Sequence, residues 1–133
     1  MTKHSQNERA IALDALIEVI EKNHSLSHLK TELTPFAQNL CFGVCRHYFR
    51  LTAITEHLLK KPIKKTKIQL ILLLALYQSD ALDIPEYAAL NETVALLKHP
   101  KLAWAKSLVN AILRRYCREK TSIHEALSNN PNY

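Results

Sequence analysis

The sequence predicts an all-α domain, and three observations carry that prediction. The chain has one glycine, Gly43, among 133 residues and is rich in Ala, Leu, Lys and Glu, a composition that disfavours an all-β fold and leaves no Gly-rich loop to cradle a phosphate. Apolar residues recur at helical spacing along most of the chain. Past the middle, nine of the ten residues from Ile68 to Tyr77 are apolar, so a helix drawn there has no polar side and must be buried all round. Such a run is too short for a bilayer, which needs about 20 residues. A buried parallel strand is the rival reading of a short apolar run. Leucine dominates, only two β-branched residues occur from 68 to 77, and the flanks read as helix, so a central core helix is expected.

The other elements follow in order. Residues 6–23 place Ala12, Leu13, Leu16, Ile17, Val19 and Ile20 at helical spacing, with Glu8, Asp14, Glu18 and Glu21 toward solvent. Ser25 can cap a short second helix carrying Leu26, Leu29 and Leu33. Thr34-Pro35 is a start signal, a capping hydroxyl followed by proline in the first turn. From there one helical pattern runs to about Lys61, with Phe36, Leu40, Val44, Leu51, Ile54, Leu58 and Leu59 on its apolar side. Gly43 lies inside it. A mid-helix glycine costs about 1 kcal/mol relative to alanine, which points to close helix packing or a kink. Pro62 ends the run, and five lysines crowd residues 60–67 before the core helix. Asp83-Ile84-Pro85-Glu86 opens the next helix, which runs to about Lys98. The last long helix, about 102–119, is expected to bury Trp104, Leu108, Val109, Ile112 and Tyr116, and a weak helical turn follows near 122–128. The total is about seven helices and no convincing strand. Residues 1–127 are expected to form the domain, and the Asn- and Pro-bearing 128–133 the start of a linker to another domain.

The net charge of +6 is unevenly placed. Segment 40–75 has seven basic residues and one acid, and segment 98–120 has the same balance, so the remainder of the chain is acidic. Charge segregated in this way fits a nucleic-acid face with an acidic back. Solvated lysines are the competing account. Residues 1–8 contain no apolar core of a signal peptide, and three cysteines without framework spacing suit a reducing cytoplasm.

Several constellations have ordinary explanations. Cys41 and Cys45 lie one helical turn apart, but no His or Cys pair with ligand spacing accompanies them, so small core residues are expected. His24 and His28 lack a third ligand, and Asp80, Asp83 and Glu86 read as capping acids. No Ser-His-Asp set, P-loop or dinucleotide fingerprint is present, so no catalytic residue and no metal ligand is assigned. The basic residues carry more. Lys106, Asn110, Arg114 and Arg118 step by four along the last long helix and form one polar stripe, widened by Arg115. Arg46 and Arg50 make a one-turn pair, with His47 and Tyr48 between them able to stack on an unpaired base. Arginines covering acidic neighbours within the fold would look the same.

Five segments, in order, resemble one family. They are Arg9-Ala10-Ile11-Ala12-Leu13 with Ser25-Leu26-Ser27, then Leu40-Cys41-Phe42-Gly43-Val44-Cys45-Arg46. After these come Leu76-Tyr77-Gln78 with Ile84-Pro85, Asn91-Glu92-Thr93-Val94, and Leu108-Val109-Asn110-Ala111-Ile112-Leu113-Arg114. Over roughly residues 8–120 the chain is similar to the NusB-like N-terminal domain of RsmB (Sun/Fmu-type) bacterial 16S rRNA 5-methylcytosine methyltransferases. The resemblance implies an all-helical NusB-like bundle in two subdomains that binds 16S rRNA, in a cytoplasmic protein with no membrane span. It also implies that this bundle is joined to its own C-terminal catalytic domain, which uses S-adenosyl-L-methionine. The family's catalytic cysteines follow Pro or Thr, whereas Cys41, Cys45 and Cys117 follow Leu40, Val44 and Tyr116. RNA binding is therefore carried over, but no catalysis and no cofactor. The expected phosphate contacts are Arg9, Arg46, Arg50, Lys60, Lys61, Lys64, Lys65, Lys67, Arg114, Arg115 and Arg118. Free-standing NusB antitermination factors, which bind RNA and a ribosomal protein, are the nearest alternative. They usually have a more arginine-rich start than Thr2–Arg9 and differ more at the Leu-Tyr-Gln and Leu-Val-Asn positions.

Overall fold

A computed structural model describes residues 6–22, 33–59, 61–82, 84–98, 100–131 and 133. Among them are seven α-helices, one 3-10 turn and no strand. The helices are α1 (Gln6–Glu21), α2 (Pro35–Arg46), α3 (Tyr48–Leu58), α4 (Thr66–Asp80), α5 (Glu86–Val94), α6 (Trp104–Arg118) and α7 (Lys120–Leu127), with the 3-10 turn at Pro100–Leu102 before α6. The expected helix at Ser25 lies outside the described residues.

The apolar run is the hub. In α4 every residue from Leu70 to Ser79 is buried, and Ile68 with them, because α1, α2, α3, α5 and α6 all pack around it. Seven large aliphatic side chains of this helix are buried, each worth about 1.5–3 kcal/mol when removed from water. α1 adds Ala12, Leu13, Ala15 and Leu16 to the same core, while Ile20 at its end is 36 % exposed. The Thr34 signal works as read: its Oγ1 accepts a hydrogen bond from the Ala37 amide at 3.2 Å, and Pro35 occupies the first turn.

Gly43 is where two helices meet most closely. The Tyr77 ring of α4 occupies the space that a Cβ at Gly43 would fill. The Tyr77 hydroxyl donates to Asn39 Oδ1 at 2.9 Å, and the ring of His47 stacks on it with centroids 6.0 Å apart. The single helix expected over 35–61 is divided here. His47 forms a one-residue turn between α2 and α3, yet its amide still bonds to Gly43 O and its carbonyl accepts from Leu51 N. The hydrogen-bond ladder runs through a kink, which neither a proline nor a glycine at the break could have signalled. The helix expected to reach Lys98 stops at Val94, and Leu96 and Leu97 turn inward to the core.

Arg9, expected as a phosphate contact, lies inside the fold. It is 3 % exposed, and its Nε donates to Gln78 Oε1 at 2.8 Å while Nη1 reaches Glu92 Oε2 at 3.4 Å. Gln78 is fully buried and spends its amide on Leu74 O (3.0 Å) and Thr93 Oγ1 (2.8 Å). Burial lowers the Arg9 pKa from its ordinary value, with Glu92 and Glu8 acting in the opposite direction. This network ties α1, α4 and α5 together, so Arg9 belongs to the interior and presents no guanidinium to a phosphate.

Candidate nucleic-acid interface

The basic residues separate into those the fold uses internally and those it leaves on the surface. Arg50 is of the first kind. Its Nε and Nη2 donate to the two carboxylate oxygens of Asp80 at 3.0 and 3.2 Å, and the ring of Tyr133 lies 4.2 Å from its guanidinium carbon. Asp80, the last residue of α4, is only 8 % exposed and also accepts from the Tyr116 hydroxyl at 2.8 Å. It is thus the centre of a polar network and not the capping acid its sequence position suggested. Burial opposes its charge, but Arg50 and Tyr116 outweigh burial and hold its pKa below the usual carboxylate value. Burial first, and then the Asp80 carboxylate, push the Tyr116 phenol well up.

His124 of α7 completes this network, with Nδ1 3.5 Å from Arg50 Nη2 and Nε2 3.2 Å from the Tyr116 oxygen. Arginine is only a donor, so Nδ1 must accept, which requires the neutral imidazole. Its pKa is lowered by burial and by Arg50 and Lys120, against the pull of Asp80. Both shifts give stability that acid removes. His124, depressed in the fold, contributes fully above about 6.5 and loses that contribution as pH falls below it; Asp80 does the same below about 3.8. Asp80→Asn is expected to cost about 2–3 kcal/mol in urea unfolding at neutral pH, since it leaves a half-buried Arg50 without its charge partner. It should also flatten the acid limb of the stability curve below pH 4. An unchanged acid limb would remove Asp80 from this role.

The surface set is different. Lys61, Lys64, Lys65 and Lys67 are exposed on the segment between α3 and α4 and its entry into α4, and Arg46 and Arg114 are exposed on α2 and α6. None of these six makes an ion pair with the described residues. Lys60 lies outside the described residues. Arg115 and Arg118 share Glu119, at 3.2 and 3.8 Å, and are 43 % and 70 % exposed; solvent-facing pairs of this kind are weak and leave the cations available. The expected stripe on α6 exists, with Lys106, Arg114 and Arg118 exposed and Asn110 half-buried.

The fold brings two of the basic groups together. Arg115 Nη1 donates to Leu58 O at 3.4 Å, fixing α6 beside the end of α3. One turn and more toward its N-terminus, α6 faces the lysine segment across a cavity of about 610 Å3, where Leu59, Pro62 and Ile63 meet Trp104 and Leu108. Helical periodicity predicts a buried Trp104, but it is 58 % exposed. The buried positions of α6 are Ala105, Val109, Ile112, Leu113 and Tyr116, and Trp104 precedes them on the edge of that face. Its partner is the lysine segment, which no spacing within α6 reveals. His47 and Tyr48, expected to stack on a base, are both half-buried. His47 already stacks on Tyr77, and Tyr48 lies edge-on to Phe49, which is 68 % exposed. Arg46 and His47 line an open cleft of about 340 Å3 between α2 and Tyr77.

The sole glycine is covered by the Tyr77 ring, so it offers no backbone cradle. Cys41 is fully buried, and Cys45 and Cys117 are half-buried free thiols. Among the described residues no group of three or more His, Cys, Asp or Glu can hold a metal, and no helix is long and apolar enough to cross a membrane. His24 and His28 lie outside the described residues.

The sequence profile of the NusB family matches residues 6–118. The chain is 39 % identical over 125 residues to the ribosomal RNA small subunit methyltransferase B of Pasteurella multocida, covering 86 % of this chain and 28 % of that protein. It is 36 % identical over 118 residues to a probable methyltransferase of the same name from Coxiella burnetii, covering 87 % and 25 %. The protein of that name from Vibrio cholerae is also 36 % identical, over 130 residues that cover 88 % and 29 %. The chain therefore spans between a quarter and a third of the length of these relatives.

Proposed function

The chain belongs to the NusB family and is homologous to the NusB-like N-terminal region of rRNA small subunit methyltransferase B, and from that premise we propose that it binds and positions 16S rRNA for a catalytic domain. In this reading the catalytic domain follows a connection beginning at residues 128–133 and takes S-adenosyl-L-methionine as methyl donor, and the whole protein is a cytoplasmic rRNA (cytosine-C5)-methyltransferase. This chain supplies grip and orientation, not chemistry. One observation supports the RNA role above the others: the unpaired lysines of residues 61–67 and the basic stripe of α6 are held on adjoining elements by Arg115 and Leu58. A helical protein-interaction module would instead have its basic stripes packed against acidic helices. Arg9 and Arg50 do this, but Arg46, Arg114 and the lysines do not. A free-standing antitermination factor with a ribosomal-protein partner is not favoured, because relatives at 36–39 % identity are named as methyltransferases.

Neutralising one surface cation tests the reading. Lys64→Gln or Arg114→Gln is expected to weaken binding of a 16S rRNA fragment evenly across sequences and to flatten the slope of log K against log salt by about one. Slopes identical to wild type for both variants would exclude these residues as phosphate contacts.

A further inference from the structure

We propose that the cavity between the lysine segment and α6 is a site for an unpaired RNA nucleotide, its base stacked on Trp104 and its neighbouring phosphates held by Lys61, Lys64 and Lys65. The inference rests on the RNA-binding reading and adds to it the form of RNA recognised and the residue that recognises it.

Trp104 has a physical anomaly that the fold does not explain. It is the largest side chain in the protein, 58 % of its surface faces solvent, and it is not one of the side chains that make up the core beneath α6. The walls beside it are apolar, from Pro62 and Leu108, so the space of about 610 Å3 suits a flat, weakly polar group. Its rim is cationic. Lys61, Lys64 and Lys65 line the cavity, no carboxylate among the described residues does, and none of the three makes an ion pair with the described residues. A flat aromatic face across a cavity from three exposed cations matches a nucleotide, whose base is flat and whose phosphates are anionic. Bases within a duplex hide their faces in the stack, so the occupant must be unpaired. An apolar peptide would satisfy the walls but leave the three lysines without partners.

The protein holds one tryptophan, so its intrinsic tryptophan fluorescence reports on this site alone. The 133-residue chain would be titrated with a short oligouridine strand and, separately, with a blunt RNA duplex. Affinity would be followed by anisotropy of the labelled RNA, and occupancy of the cavity by Trp104 fluorescence. The strand is expected to quench the fluorescence saturably, in step with binding, and the duplex is expected not to. Trp104→Ala should weaken strand binding roughly 5- to 100-fold and leave duplex binding unchanged, while Trp104→Phe retains most of the affinity. Because the side chain is exposed, both variants should keep the wild-type circular dichroism. Strand binding without quenching, or equal effects of Trp104→Ala on strand and duplex, would overturn the site while leaving the RNA-binding reading intact. Failure of wild type to bind either RNA would overturn both. Saturable quenching by a polyglutamate peptide but not by the strand would mark the cavity as a protein site and overturn the proposal.

Discussion

Gly43→Ala is expected to destabilise the domain by about 2 kcal/mol, and Gly43→Val by more. On helix propensity alone the alanine variant should gain about 1 kcal/mol, so the expected sign is opposite to the local rule. The reversal comes from packing. The methyl group would enter the space of the Tyr77 ring, which is 7 % exposed and held by Asn39 at one end and by the His47 stack along one face. Moving it breaks the hydrogen bond and the stack, and overpacking of this kind costs about 1–3 kcal/mol, sometimes more. Urea unfolding checks this, and a second background makes the cause identifiable. In Tyr77→Ala the space is empty, so Gly43→Ala should there be neutral or stabilising, a coupling between the two positions of about 2 kcal/mol or more. A stabilising Gly43→Ala in the wild-type background would contradict the close contact.

Arg9→Ala is expected to lower stability by about 3–4 kcal/mol, which for a domain of this size is on the order of 10 °C in Tm. The loss has three parts: Gln78 Oε1 is left buried without that donor, Glu92 loses its cation, and the face of Phe36, 5.2 Å from the Arg9 guanidinium carbon, loses a neighbour. Arg118→Ala, at a position 70 % exposed, should change stability by no more than about 0.5 kcal/mol. RNA binding should show the opposite ranking. Folded Arg9→Ala should keep the wild-type salt slope, whereas Arg118→Ala should flatten it. An Arg9→Ala variant of normal stability that loses RNA affinity would return Arg9 to the surface set.

These two residues show what was legible in the sequence. The hub helix could be read because ten consecutive residues left it no polar side, and the start of α2 because Thr34-Pro35 carries its own capping chemistry. Gly43 announced a close contact, since a mid-helix glycine has a cost that something must repay; which residue pressed against it was a question of tertiary structure. Arg9 could not be placed from its type. Its burial depends on Gln78 and Glu92, 69 and 83 residues away, which offer it an acceptor and a counter-charge. The same holds for Asp80, whose partners Arg50, Tyr116 and His124 come from three other helices. The charge map located the basic segments but not which cations were already used inside the fold. Trp104 was misplaced because helical periodicity favours any large apolar residue near a buried stripe. Only the 3-10 turn before it and the lysine segment across from it set its true environment. The motif residues Arg9, Gln78 and Thr93 turn out to be one buried network, whereas the motif arginines Arg46 and Arg114 are exposed.

The proposed grip on RNA through surface cations is tested by the affinity of the chain for a helix-junction fragment of 16S rRNA at about 50 mM and 200 mM salt. Binding is expected at about micromolar strength in low salt and should weaken at least tenfold at the higher concentration, because counterions displaced from the RNA by the lysine segment and α6 gain less entropy on release into concentrated salt. Absence of binding in low salt, or an affinity indifferent to salt, would contradict it.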